Sequence, residues 1–86
     1  MKDCTISDEQ IKEIYKQIGK NVKNIREENN TSQLKLALAI GHKAVGAISN
    51  SELCLQNKHF NIEQLVKIAN VLDVKLDDFF KGINIK

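Results

Sequence analysis

The sequence predicts an all-α fold, a bundle of five helices joined by mostly short connections. Three observations carry this expectation. Apolar residues recur every three or four positions, the period of a helix buried along one side, and no stretch alternates long enough to suggest a sheet. Residues with helix-capping chemistry stand at the starts of these stretches. The chain contains no proline.

The first helix is expected from about Asp8 to Glu28. Ile11, Ile14, Tyr15, Ile18, Val22 and Ile25 form its apolar stripe, Ser7 with Gln10 reads as a capping box, and "ENN" ends it. Ser32 can cap a second helix that runs to Ile40 and buries Leu36, Ala37 and Ile40. Gly41 then acts as a helix stop, because glycine takes positive φ without a Cβ penalty. A third helix is expected from Lys43 or Ala44 to about Leu53. Ala47 and Ile48 face inward there, with Ser51 the next position on that side.

"CLQNKHF" reads as a polar loop. Asn61 with Gln64 makes a second capping box, opening a fourth helix whose inner face is Ile62, Leu65, Val66, Ile68, Ala69 and Leu72. "LDDFF" suggests a short fifth helix ending before Gly82.

The 86 residues suit one domain, 1–86, with a single modest core. Apolar residues make up 42% and charged residues 28%, ordinary proportions for a globular protein. The longest apolar runs are too short to span a membrane. "MKDCTISDEQ" has no apolar signal-peptide core, so a cytoplasmic location is expected. Cys4 and Cys54 form no C-x-x-C pair, and Cys54, His42 and His59 match no strong zinc spacing, so neither a metal nor another cofactor is expected. With no base–nucleophile–orienter set and no phosphate-cradling glycine loop, neither an enzyme nor a small-molecule binder is expected.

Charge is unevenly spread. Residues 1–30 carry six basic and six acidic side chains, and residues 61–86 carry four of each. The net charge of +2 therefore resides in the middle third, where Lys35, Lys43 and Lys58 face Glu52 alone, near His42 and His59. A local basic surface favours an anionic partner such as a phosphate backbone, the alternative being a chance excess of two lysines.

Two short helices joined by a tight glycine turn form a helix-turn-helix, here at about residues 32–53. The segments "IGKNVKNIRE" at 18–27, "SQLKLALAIG" at 32–41, "ISNSE" at 48–52 and "IEQLVKIANVLDVKLDDFF" at 62–80 resemble the Cro/C1-type (XRE-like) DNA-binding domains of phage repressors and restriction–modification controller proteins. The resemblance implies a five-helix, lambda-repressor-like bundle, with helix one extended at its N-terminus. It implies a partly buried ion pair between Arg26 and Glu52, and a phosphate contact from Gln33. It also puts the start of helix three in the major groove.

Candidate base contacts are then Lys43 to guanine, Asn50 to adenine and Ala44 or Val45 to a thymine methyl, with Ser49 reaching a base or phosphate. Lys35, His42 and Lys58 are candidate backbone contacts. Gly46 within this helix costs up to about 1 kcal/mol relative to alanine, which suggests a packing reason or a close backbone approach to DNA.

The resemblance implies a sequence-specific transcriptional regulator that binds a palindromic operator in double-stranded DNA as a homodimer. Leu76, Phe80, Ile83 and Ile85 are candidates for the dimer contact, whereas Phe79 reads as monomer core. The alternative is a protein-interaction module on the same fold, antitoxin-like or otherwise partner-binding.

Four features depart from the family pattern. One extra residue lies between Gly41 and Ile48, which shifts the register of the reading helix. Leu53-Cys54 stands where a glycine stop is common. The loop to helix four is about two residues longer than usual. Leu34 and Leu38 occupy positions that are normally charged. The expectation is that the extended helix one packs over these leucines, or that they make a subunit contact.

Overall fold

The computed structural model describes residues 1–41 and 45–84. Among them are four α-helices, α1 (Asp8–Glu28), α2 (Gln33–Ala39), α3 (Gly46–Leu53) and α4 (Ile62–Leu72), two 3-10 segments, Leu55–Asn57 and Leu76–Phe80, and no strand.

The long α1 is bounded by its own side chains. The Ser7 hydroxyl accepts from Gln10 N at 3.1 Å while the Gln10 carboxamide accepts from Ser7 N at 2.7 Å, which satisfies two otherwise orphaned donors. Asn61 and Gln64 repeat this at α4, at 2.8 and 2.9 Å. Ser32 caps α2 by accepting from Lys35 N at 3.1 Å. Gly41 takes φ +85° just after α2.

The core is built from Ile18 and Val22 of α1, Leu36 and Ala37 of α2, Ile48 of α3, and Leu65, Ile68 and Leu72 of α4. Phe60 and Phe79 close it from the connections. Against this core α1 packs on α3 and on the C-terminal 3-10 segment. The α1–α3 crossing depends on Gly19, where an added Cβ would collide with the backbone carbonyls of Ser51 and Glu52.

Several expectations are corrected. The fifth helix is a 3-10 segment, and part of "CLQNKHF" is helical, as the other. Phe60, expected in a polar loop, is buried. Ile62 and Val66 are 63% and 49% exposed, because the buried stripe of α4 is the narrower set Leu65, Ile68, Ala69 and Leu72. Leu34 and Leu38 are 56% and 64% exposed, so the helix-one extension does not cover them.

The extension is held elsewhere. The Tyr15 ring stacks on His59 at 3.7 Å between centroids. Asn21 donates from Nδ2 to the carbonyls of Phe79 and Lys81 at 2.9 and 2.8 Å, and is itself held by Gln17. The extension thus docks on the α3–α4 connection and the C-terminal segment.

Candidate nucleic-acid interface

Two short helices packed around a glycine turn form the centre of the site. α2 packs against α3, with the turn at Gly41 between them. His42, Lys43 and Ala44, and the expected start of α3 at Lys43 or Ala44, lie outside the described residues, as does Ile85. α3 spans Gly46–Leu53, and Cys54, which caps its end, takes a left-handed conformation (φ 54°) where a glycine stop is common in the resembled family.

A buried polar chain fixes the relation between α1, α2 and α3. Arg26 donates from Nε to Glu52 Oε2 at 2.7 Å and from a terminal nitrogen to Oε1 at 3.1 Å. Its other terminal nitrogen donates to the Thr31 carbonyl at 2.9 Å, just before α2. The fork matches the carboxylate in geometry and charge, which is how a buried pair offsets the cost of leaving water. Gln33 then donates from Nε2 to Glu52 Oε1 at 2.9 Å. The resemblance implies a phosphate contact from Gln33. Within the described chain its carboxamide is anchored by that one bond, which uses one of its two N–H donors and leaves its carbonyl oxygen an acceptor.

On the outer side of α3, Val45 is exposed while Ser49 and Asn50 are half-buried. The Ser49 hydroxyl donates back to the Gly46 carbonyl at 3.3 Å. Gly46 has open space where a Cβ would stand, so nothing packed within the described chain requires glycine there. Lys35 and Lys58 are exposed.

Of the dimer candidates, Phe80 is exposed, whereas Leu76 and Ile83 are half-buried against the core. Phe79 is fully buried. Burial pushes the Cys54 thiol up from its ordinary value, against the opposing pull of the Lys16 charge.

Sequence reasoning missed two features. Gly19 carries no signal within α1 itself, and only the crossing with α3 gives it a role. Lys16, Lys20 and Lys23 line one depression beside Glu52 and Leu53. Their spacing of four and three was a visible signal, obscured because basic and acidic residues balance over residues 1–30.

A bundle that presents a helix-turn-helix braced by a buried ion pair defines a class of nucleic-acid-binding domain. A family model described as helix-turn-helix matches residues 22–79, from the middle of α1 to Phe79. The chain belongs to this family, the Cro/C1-type (XRE-like) helix-turn-helix domains, which bind DNA and are typically not enzymes. Comparison with curated proteins and with solved structures gives no match. Among the described residues, no helix is long and apolar enough to cross a membrane.

Proposed function

We propose that the chain is a sequence-specific, DNA-binding transcriptional regulator that works in the cytoplasm as a homodimer on a palindromic operator. The observation that carries this reading is the Arg26–Glu52–Gln33 chain. It fixes the first residue of α2 against α3, so that a phosphate contact from Gln33 would set the register of the reading helix on the duplex.

In this reading Lys43, Ala44, Val45 and Asn50 meet base edges, Ser49 meets a base or phosphate, and Lys35, His42 and Lys58 join Gln33 on the backbone. That none of the described residues requires glycine at Gly46 supports a close approach of DNA to that backbone. With few side chains to read bases, specificity depends on two half-sites about one helical turn apart and on DNA shape. Phe80, with Leu76, Ile83 and Ile85, supplies the apolar contact between subunits.

The test is fluorescence anisotropy with a fragment from upstream of the protein's own gene and a scrambled fragment of equal length, at several salt concentrations. Tight, salt-sensitive binding that prefers the native fragment supports the proposal. Absence of binding to both at low salt, with the dimer verified, contradicts it. A second reading, a protein-interaction module, is favoured by the exposed Leu34 and Leu38 on α2. Apolar association there would persist at high salt, whereas phosphate binding weakens steeply.

A further inference from the structure

We infer that Lys16, Lys20 and Lys23 form a phosphate track along α1, extending the DNA contact surface beyond the helix-turn-helix. The inference rests on the DNA-binding reading above. Residues four and three apart share one side of a helix, so the three ammonium groups follow a line along α1. At about 1.5 Å per residue the line covers about 10 Å, enough for two or more phosphates of one strand, which carries one per about 3.4 Å of duplex axis.

Position connects this line to the proposed site. The three lysines border one depression with Glu27, Glu52 and Leu53. Glu52 is buried, neutralised by Arg26 and bonded to Gln33. The track therefore runs beside the C-terminal end of α3, at the residue whose carboxylate anchors the proposed phosphate ligand.

Charge favours the same occupant. Lys12 and Lys16 approach Glu9 and Glu13 at 3.8 and 3.6 Å, exposed pairs of the kind that contribute little. Among the described residues, Lys20 and Lys23 enter no ion pair. Glu27 is the one acid of the depression without a buried counter-charge. Lys16 and Lys20 lie just before the family match, which starts at residue 22, and Lys23 lies within it. The Tyr15–His59 stack and the Asn21 hydrogen bonds hold that segment of α1 against the body, which limits the ordering needed on binding.

The experiment compares the full chain with K20Q/K23Q, with K20R/K23R, and with K81Q. Lys81 borders a separate depression on another side of α1, beside Asn21 and Glu28. Anisotropy titrations on the upstream fragment and its scrambled counterpart run from about 50 to about 300 mM salt, the range in which counterion release dominates. Thermal melting verifies the fold of each variant.

The expected result for K20Q/K23Q is a log–log salt slope shallower by about 2, close to 0.9 per lost phosphate contact. Affinity should fall alike on both fragments, because phosphates carry no sequence information. K20R/K23R and K81Q should keep the wild-type slope. An unchanged slope in a folded K20Q/K23Q variant, with wild type binding DNA, overturns this inference alone and leaves the lysines a solvated face. Failure of wild type to bind either fragment overturns the DNA-binding reading and the track with it.

Discussion

Replacing Arg26 with alanine should destabilise the protein severely. Glu52 is fully buried and accepts three hydrogen bonds, two from Arg26 at 2.7 and 3.1 Å and one from Gln33 at 2.9 Å. Arg26→Ala removes two of the three and, among the described residues, the one counter-charge in contact with the carboxylate. Stranding a buried charge in this way costs about 3–5 kcal/mol. At about 0.05–0.15 kcal/mol per residue, a chain of this size has about 4–13 kcal/mol in total, so the loss is a large share of the fold. Replacing both partners with apolar residues of similar length, Arg26→Met and Glu52→Leu, strands no buried charge and should cost far less than the two single changes summed. Urea denaturation of the wild type, both single variants and the double variant measures the coupling through the midpoints at constant m-value. Additive losses, or a single-variant loss under about 1 kcal/mol, would show that the pair behaves like an exposed one and refute the reasoning.

Three further outcomes are expected. Gly19→Ala should lower stability by about 1–3 kcal/mol in thermal or urea unfolding, since its Cβ meets backbone carbonyls of α3 that cannot rotate away, and this outweighs the up to about 1 kcal/mol gained in helix propensity. Gly46→Ala, whose Cβ enters open space, should leave stability equal or raise it by up to about 1 kcal/mol while weakening DNA binding, as melting curves and anisotropy would reveal together. Cys54 should alkylate more slowly than the exposed Cys4 near pH 8, followed by mass spectrometry of the two peptides, because burial disfavours its thiolate and the thiolate is the nucleophile.

Much of the local architecture was legible in the sequence. Ser7 with Gln10 and Asn61 with Gln64 mark the starts of α1 and α4, because capping is settled within three residues of chain. The stripe through Ile18 and Val22 marks a buried side, and Gly41 marks the turn. The inner face of α4 was drawn too wide. At 100° per residue, Val66 stands roughly 110° from the middle of the stripe formed by Leu65, Ile68, Ala69 and Leu72. How wide a stripe is covered depends on what packs against it. Here the C-terminal 3-10 segment and α2 cover a narrow one.

Leu34 and Leu38 make the same point in reverse. Their spacing of four correctly puts them on one side of α2, but the expectation that α1 covers them failed because Tyr15 and Asn21 tie the extension elsewhere. By itself, then, the sequence determined where α1, α2 and α4 begin and the centre of the buried side of α1 and α4, since both follow from interactions among residues a few positions apart. Only the tertiary structure decided that Gly19 lets α1 approach α3, that Glu52 anchors Gln33 nineteen residues away, and that three α1 lysines share one depression with Glu52 and Leu53 of α3. Those relations arise where helices cross, and a crossing is set by the packing of whole side-chain surfaces, which no periodicity within one helix encodes.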